Sequence, residues 1–277
     1  MSVVLGIDVG GSTTKVIGLK DGTPFGMLQV RAADQITSLY GAIGNFLRSQ
    51  KLNLEDVSSF ALTGVGASFI DEKIHGIDTF KVAEFTAIGH GALLLSGLSE
   101  ALVVSMGTGT AFVRAQGDEI ERIGGSGVGG GTILGLAKHL LKKEDLDAVL
   151  MMAEQGNLEN VDLLVKDIVG SDIPLLSSRL TAANFGKIKS TASEADIALG
   201  ILNMVFQTIG MLAVFVMRND SIRNVVLTGT LATFPQAKPM LTPFSALSDL
   251  NFIIPPDAVY ATALGAAHDI AVRKGIS

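Results

Sequence analysis

The sequence predicts an α/β protein of two lobes in which one structural plan is used twice. Short apolar runs joined by glycine-rich turns open the chain, and a second series of such runs begins after residue 100. Segments with apolar residues at helical spacing follow each series. With 277 residues, of which 48% are hydrophobic, the chain is long enough to bury a core in each lobe.

The first lobe is expected over residues 1–98 and begins with three strands, Val3–Asp8, Lys15–Leu19 and Met27–Val30. Their glycine-rich connections, which include the turn signal Asp21-Gly22, are typical of an antiparallel meander. The further elements expected in this lobe are a helix over Ile36–Leu47, strands over Phe60–Leu62 and Phe80–Ala83, and a helix over Glu84–Leu95.

The second lobe is expected over residues 99–277 and starts with strands over Leu102–Ser105, Ala111–Arg114 and Ile120–Ile123. Each lobe thus carries a Gly/Thr-rich loop at the first bend of a meander, which predicts a structural duplication. Packing of the final helix, 258–274, back against the first lobe stays open at this point. The later elements are helices over Gly131–Leu141, Leu146–Gln155, Ala195–Arg218 and Ala258–Lys274, and a strand over Val225–Leu227.

Composition excludes several classes of function. The formal net charge is -6, and a nucleic-acid partner would require stripes of Lys and Arg. The chain has no cysteine, so disulfides, thiolate metal sites and cysteine nucleophiles are excluded. The first residues lack the basic region of a signal peptide and reach Asp8 early. We therefore expect a cytoplasmic protein without a nucleic-acid partner.

The longest apolar segment, Ile197–Met217, is uncharged and has the length of a membrane span. It contains Asn203, Gln207 and Thr208, and it has no Trp or Tyr at either edge to anchor it at a membrane surface. These features favour a helix buried in a core or at a subunit interface. No membrane partner is expected.

The segment Asp8-Val-Gly-Gly-Ser-Thr-Thr-Lys15 follows the first predicted strand. Glycines allow backbone N–H groups to approach an anion closely, and the hydroxyls and the lysine add further donors. A carboxylate beside a polyphosphate is best explained by Mg²⁺ between them. An ordinary glycine-rich hairpin would show the same pattern. The residues predicted to hold the nucleotide here are Asp8, Gly10, Gly11, Ser12, Thr13, Thr14 and Lys15.

Two later loops extend this pattern. The loop Ser105-Met-Gly-Thr-Gly-Thr110 lies at the equivalent bend of the second meander, where Thr108 and Gly109 would face the phosphates. Two such loops at equivalent points are best explained by two lobes that hold one polyphosphate. The third, Thr228-Gly-Thr-Leu231, follows a late strand and suits a contact from Thr230 to the nucleoside.

A glycine run over Gly124–Gly131 leads into the helix predicted to start near Thr132. A helix N-terminus attracts phosphate. The run also satisfies the dinucleotide pattern Gly-x-Gly-x-x-Gly, but it lies in mid-chain after a meander, where that pattern is weak. The nucleotide-binding residues predicted here are Gly130, Gly131, Thr132, Ile133 and Leu134.

The order of these loops resembles the superfamily of acetate and sugar kinases, heat-shock ATPases and actin. Within it, the chain resembles the type II pantothenate kinases almost end to end. The specific matches are Val82-Ala-Glu-Phe-Thr-Ala87, Arg122-Ile-Gly-Gly-Ser-Gly-Val-Gly-Gly-Gly131 and Leu180-Thr-Ala-Ala-Asn-Phe-Gly-Lys187. The resemblance implies a ribonuclease H-like duplicated fold with ATP in the cleft between the lobes, and phosphorylation of pantothenate.

The resemblance also implies roles for single residues. Glu84 would be the catalytic base, although helix starts attract glutamate in any case. Arg122 would stabilise transferred charge, although a solvated strand-end charge would look the same. Asp8 would orient Mg²⁺ through water, and the long apolar helix would form a homodimer. Leu146 and Ala111 depart from the family, since relatives can carry an aromatic near adenine and a hydroxyl at these positions.

Two other functions stay open, a sugar kinase and an ATP-binding scaffold, whereas a sugar-sensing regulator is not expected. An N-acetylhexosamine kinase of the same superfamily would need polar side chains around a sugar and usually has an Asp base. A sugar-sensing regulator would need a helix-turn-helix before the loop that here begins at Asp8. A non-catalytic ATP-binding scaffold would bind ATP without any acceptor. The sequence contains no Walker A motif, and its four histidines show no metal-ligand spacing.

Overall fold

Two five-stranded sheets of one topology form the two lobes. The computed structural model describes residues 3–32, 34–71, 73–169, 178 and 180–276. The strands are β1 Val3–Val9, β2 Thr13–Lys20, β3 Thr23–Arg31, β4 Val57–Thr63, β5 Thr79–Lys81, β6 Glu100–Met106, β7 Thr110–Gln116, β8 Glu119–Ser126, β9 Leu163–Leu164, β10 Thr181–Ala183, β11 Asn224–Thr228 and β12 Asn251–Ile253. The helices are α1 Gln35–Gln50, α2 Glu84–Ser96, α3 Gly130–Leu141, α4 Leu146–Ala153, α5 Val165–Ile168, α6 Glu194–Met217, α7 Ala237–Ser248 and α8 Ala261–Arg273.

The strand order is β3-β2-β1-β4-β5 in the first sheet and β8-β7-β6-β11-β12 in the second. In each sheet an antiparallel meander is followed by two strands parallel to its first strand. A small sheet of β9 and β10 lies apart from both. The two-lobed α/β fold with an internal duplication is therefore confirmed.

The register of the two sheets makes single positions equivalent. Asp8 pairs with Lys15 across the first hairpin and with Thr63 on the neighbouring parallel strand. In the second sheet, Ser105 pairs with Ala111 and Thr228 in the same way. Asp8 and Ser105 thus occupy equivalent positions in the two sheets.

The core of the first lobe follows from strand alternation. Val3, Leu5 and Ile7 point to one face of β1, where they pack against the buried side of α1 around Phe46. Asp34 caps α1 by accepting a hydrogen bond from the Thr37 amide at 2.7 Å. This helix therefore covers one face of the sheet and leaves the opposite face for another element.

That opposite face is covered by α8, and α2 in turn packs on the second sheet. Ala263, Ala267 and Ile270 of α8 pack against Val4 and Ile17 of the first lobe. Ile88, Ala92 and Leu93 of α2 pack against residues of the second sheet such as Val103 and Val113. The helix expected at the end of the first lobe thus completes the core of the second, and the final helix of the chain completes the core of the first.

The helices α2 and α8 cross at a pair of glycines. A Cβ on Gly91 would lie 1.7 Å from the Ala261 carbonyl oxygen, and one on Gly265 would lie 1.9 Å from the Ala87 carbonyl oxygen. No side chain fits at either position, so glycine is required by the closeness of the two backbones. This reciprocal contact joins the lobes.

The core of the second lobe is built around α6. Its inner face, including Ile201, Val205 and Phe206, is fully buried against α3, α4 and α7. Ser193 caps the helix by accepting a hydrogen bond from the Asp196 amide. By length and composition alone α6 could cross a membrane, but the packing of its inner face accounts for its apolar character equally well. Met211, Leu212 and Phe215 are incompletely covered on its outer side.

Candidate active site

Three parallel strands of the first sheet end at one edge, and each delivers a polar or glycine residue there. The edge is formed by the carboxyl ends of β1, β4 and β5. Asp8 lies at the end of β1, Gly64 follows β4, and Glu84 comes three residues after β5. Ligands of α/β sheets bind outside such carboxyl ends, so these residues share the expected position of a site.

Asp8 and Lys15 form a buried ion pair in the first hairpin. The Lys15 Nζ lies 3.2 Å from Asp8 Oδ2, and each residue is 8% exposed. The Gly10 amide donates to the Thr13 carbonyl at 3.0 Å and closes the turn above the pair. Because Lys15 occupies one carboxylate oxygen of Asp8, the other remains available to a second ligand.

Gly64 lies directly against that carboxylate. Its φ is +84°, in the left-handed region, and a Cβ there would lie 2.6 Å from Asp8 Oδ1. The backbone after β4 therefore approaches Asp8 more closely than a residue with a side chain would allow. The sequence marked Thr63-Gly64 only as a strand end, so this contact was not foreseen.

The predicted first loop is divided between a turn and a strand. Gly10, Gly11 and Ser12 form the turn, whereas Thr13, Thr14 and Lys15 already belong to β2. Open space surrounds the position that a Cβ would take on Gly11. The Thr14 hydroxyl is buried without a hydrogen-bond partner among the described residues. The turn itself is thus the part open to a ligand.

Glu84 is the first residue of α2 and faces the Asp8–Lys15 pair. Burial raises the pKa of its carboxyl, repulsion from Asp8 raises it further, and the charge of Lys15 acts in the opposite direction. Although the residue is exposed to solvent on one side, the neighbouring walls remove part of the hydration of its carboxylate. A glutamate with a raised pKa next to a second carboxylate is suited to accept a proton.

The second loop and the start of α3 form one unit. The Gly130 amide donates to the Gly107 carbonyl at 2.8 Å, and the Gly131 amide donates to the Thr108 carbonyl at 2.9 Å. A Cβ on Gly129 would lie 2.6 Å from the Thr108 carbonyl oxygen. The glycine run thus serves to bring a helix N-terminus against the loop, with backbone packed on backbone.

The packing of the glycine run Gly124–Gly131 on the second loop changes the contribution to phosphate binding that is expected from this run. Since the Gly130 and Gly131 amides donate to loop carbonyls, they are not free to bind phosphate as the helix start predicted. The Thr132 hydroxyl donates to the Gly127 carbonyl and is similarly engaged. Ile133 is fully buried in the second core, so its side chain does not face a nucleotide. Leu134 is 36% exposed on the outer side of α3.

The third loop is brought to the second by another glycine. Gly229 has φ +86°, and a Cβ there would lie 2.6 Å from the Met106 carbonyl oxygen at the end of β6. Leu231 approaches within 3.5 Å of the position that a Cβ would take on Gly130. Thr230 begins a 3-10 helix over Thr230–Thr233 between these contacts. The structure thus brings Thr230, Thr108 and Gly109 to one side of the second lobe.

Arg122 lies on β8 next to the start of α2. Its Cζ is 5.0 Å from the centroid of the Phe85 ring, the residue that follows Glu84. Within the part of the chain that the structure describes, no carboxylate lies within ion-pair distance of Arg122. The two predicted catalytic residues are therefore connected through the first turn of one helix, a link that the sequence did not reveal.

Leu146 lies at the start of α4, partly buried against the second core. The residue before it, Asp145, lies 3.6 Å from Arg31 at the end of β3, so the α4 start faces the first lobe. This ion pair is exposed and contributes little to stability. No contact described by the structure joins Leu146 to the phosphate loops.

The diagnostic stretch Leu180–Lys187 is organised by a buried carboxylate. Asp162 is fully buried and accepts hydrogen bonds from the Thr181 hydroxyl, the Phe185 amide and the Asn203 side chain. These three donors satisfy the hydrogen-bonding capacity of its carboxyl group without a ligand. The stretch therefore serves to fix β10 against α6 in this chain.

The donor set at the first edge fits Mg²⁺ held with ATP. The described residues contain no group of three or more acidic or histidine ligands that could hold a metal alone. Mg²⁺ usually keeps several waters and binds through one or two carboxylates together with substrate phosphates. The single carboxylate of Asp8, with one oxygen engaged by Lys15, matches this pattern.

Comparison with known proteins relates the whole chain to one group of enzymes. The family model described as Fumble matches residues 96–240, which is more than half of the chain. A type II pantothenate kinase of Staphylococcus haemolyticus is 29% identical over 78% of this chain and 85% of its own length. One from Bacillus cereus is 25% identical over 99% of this chain and 100% of its own length.

Solved structures show the same two-lobed fold. The activator of 2-hydroxyisocaproyl-CoA dehydratase from Clostridium difficile, with bound ADPNP, superimposes with a TM-score of 0.71. The match covers 99% of this chain and 97% of that one, at 17% sequence identity. At this identity the similarity concerns the fold alone.

Proposed function

Because the chain belongs to the Fumble family, we propose that it transfers the γ-phosphoryl group of ATP to pantothenate. The product, 4′-phosphopantothenate, opens the biosynthesis of coenzyme A. The full-length similarity to type II pantothenate kinases supports this activity. The observation that carries the proposal is the position of Glu84 at the start of α2, at the same carboxyl edge of the first sheet as the Asp8–Lys15 pair.

In this reaction, Glu84 accepts the proton of the primary hydroxyl of pantothenate as that oxygen attacks phosphorus. Its raised pKa makes the carboxylate a stronger base than an ordinary glutamate. The buried ion pair with Lys15 orients Asp8 at the same edge. The base and the phosphate-binding hairpin thus lie side by side.

The nucleotide is assigned to the loops of both lobes. Gly11 and Ser12 of the first turn, and Thr108 and Gly109 of the second loop, offer backbone and hydroxyl groups to the phosphates, and Thr230 is assigned to the nucleoside. Asp8 would hold Mg²⁺, most simply through a water molecule, and the bound ion neutralises phosphate charge. Arg122 supplies a guanidinium close to Glu84 for charge that develops on the transferred group.

A consumption assay with several acceptors tests the activity. ATP turnover is measured with pantothenate, N-acetylglucosamine, glucose and no acceptor. We expect turnover with pantothenate only. Turnover that prefers N-acetylglucosamine would replace the proposal by a sugar kinase, and slow hydrolysis unaffected by any acceptor would indicate an ATP-binding scaffold.

The protein is further proposed to act in the cytoplasm as a homodimer. The outer side of α6 supports a dimer, because Phe215 is 62% exposed on a helix without charged residues in that region. An acidic surface with net charge -6 supports the absence of a nucleic-acid partner. Light scattering coupled to size exclusion should give twice the chain mass; a pure monomer would contradict the dimer.

A further inference from the structure

We infer that Phe85 is a positioning residue that orients the Arg122 guanidinium for phosphoryl transfer. The inference rests on the proposed function and extends it to a residue whose side chain has no polar atoms. It starts from the contact of Arg122 Cζ with the Phe85 ring, at 5.0 Å from the ring centroid. A cation held at this distance is attracted by the negative face of an aromatic ring.

The contact is in register with the packing of α2 on β8. Four residues farther along the helix, Gly89 approaches Ile120 so closely that a Cβ would lie 2.5 Å from Ile120 Cδ1. The step from Gly89 back to Phe85 along the helix is about 6 Å, and the step from Ile120 to Arg122 along the strand is about 6.6 Å, so the two steps match. Phe85 therefore meets Arg122 as a consequence of the same close packing, and not through a chance side-chain conformation.

The first turn of α2 divides its side chains between the lobes. Successive residues of a helix point about 100° apart, so Glu84 and Phe85 cannot face the same way. Glu84 interacts with Asp8 and Lys15 of the first lobe, whereas Phe85 faces Arg122 of the second. One helical turn thus sets the distance between the base and the guanidinium.

An aromatic partner suits an arginine that must bind a developing charge. A carboxylate would orient the guanidinium but would also occupy its N–H groups and neutralise it. A ring contacts the flat face instead and leaves the N–H edge free. Since no carboxylate among the described residues pairs with Arg122, the ring is the contact that the structure provides for orientation.

A double-mutant cycle tests the inference. Phe85→Leu keeps an apolar side chain over the core but removes the ring face, so kcat should fall by about 2- to 30-fold. The KM for ATP should change little, because the phosphate loops are untouched. In an Arg122→Ala background the same Phe85→Leu change should have almost no further effect on kcat. Phe85→Tyr, which restores the ring, should recover most of the wild-type rate.

A purely structural role for Phe85 gives different results. It would lower the melting temperature and the rate equally in both backgrounds, and Phe85→Tyr would offer no particular rescue; either result overturns the inference. NMR of the ligand-free protein gives a readout independent of activity. The Arg122 side-chain protons should show ring-current shifts that disappear in Phe85→Leu, and their absence in the wild type would also overturn it.

The failure of this inference is distinguishable from the failure of the proposed function. If the wild-type enzyme phosphorylates pantothenate but the effects of Phe85→Leu and Arg122→Ala on kcat are independent, only the role of Phe85 is refuted. A wild-type enzyme that phosphorylates no acceptor removes the function, and the positioning role with it.

Discussion

The two hairpins of this protein share a backbone plan but not a charge pattern. At equivalent positions, the first sheet has the ion pair Asp8–Lys15 and the second has Ser105 and Ala111. In both sheets the next parallel strand ends at a threonine that is followed by a glycine with positive φ, +84° at Gly64 and +86° at Gly229. The backbone geometry has been kept, while the ion pair occurs in the first of the two hairpins and not in the second.

This difference separates two tasks in one cleft. A loop that only needs to contact an anion can rely on backbone groups and glycines, and the second lobe does so. The step that moves a proton needs a charge whose pKa is set by its surroundings. That charge, Glu84, is found beside the ionic hairpin of the first lobe.

The largest expected effect concerns Glu84. Glu84→Gln keeps the size of the side chain but cannot accept a proton, so kcat should fall by about 10²- to 10⁴-fold. Nucleotide binding, measured by calorimetry, and the melting temperature should stay near the wild type. Glu121→Gln, an exposed carboxylate on β8, is the matched control and should leave kcat unchanged. Near-normal turnover of Glu84→Gln would show that the first lobe does not supply the base.

The next effect tests the equivalence of Asp8 and Ser105 directly. Asp8→Asn should lower kcat by about 100-fold, because the hairpin loses its charge toward Mg²⁺. The same change should lower the free energy of unfolding by about 3 kcal/mol, because Lys15 is left buried without a partner. Ser105→Ala at the equivalent position should change stability by less than about 0.5 kcal/mol and kcat by less than about twofold.

A double variant separates these two effects. Asp8→Asn with Lys15→Met removes both charges, so denaturant unfolding should show recovered stability while kcat stays low. If Ser105→Ala were as damaging as Asp8→Asn, the division of tasks between the hairpins would be refuted.

The third prediction concerns pH. Glu84 must be deprotonated to act, so kcat/KM for pantothenate should fall as the pH decreases through a pKa above that of an ordinary glutamate. Burial and Asp8 raise this pKa, while Lys15 lowers it. Lys15→Met should therefore move the acid limb to higher pH, although the maximal rate also falls. An unchanged limb would mean that Glu84 and the hairpin are not electrostatically coupled.

Local patterns in the sequence predicted much of this architecture. Strand ends followed by Gly10-Gly11 or Gly107-Thr-Gly109, and the capped apolar run of α6, are encoded within a few neighbouring residues. The helix α7 was not predicted, because it contains Pro239 and Pro243 and proline lacks the N–H that a helix interior requires. The sequence therefore predicted the two meanders better than the later elements.

Features that depend on distant parts of the chain could not be predicted. The exchange of α2 and α8 between lobes depends on Gly91 and Gly265, whose close contact exists only in the folded state. The Gly130 and Gly131 amides donate to loop carbonyls, whereas at the start of an isolated helix the same amides would be available to phosphate. The roles of Glu84 and Arg122 were inferred from resemblance, and their link through Phe85 required the structure.

The smallest expected effect concerns the helices α2 and α8, where the two halves of the plan meet. His90 of α2 and His268 of α8 lie next to this crossing, with ring centroids 6.1 Å apart at an interplanar angle of 81°. Both ring nitrogens of His90 are buried without hydrogen-bond partners among the described residues. Burial lowers the pKa of His268, as does His90, whereas Asp269 and Asp118 act in the opposite direction.

The sign of the pH effect follows from this depressed pKa. The unfolded chain takes up a proton on His268 at a higher pH than the folded protein does, so stability is complete above the unfolded pKa and is lost as the pH falls toward the folded one. Between pH 7.5 and 5.5 the wild-type melting temperature should decrease, and His268→Gln should reduce this decrease by about 1–3 °C. His139→Gln, at an exposed site on α3, is the control for the substitution itself. Equal pH dependence in wild type and His268→Gln would show that protonation of His268 does not affect the contact between α2 and α8.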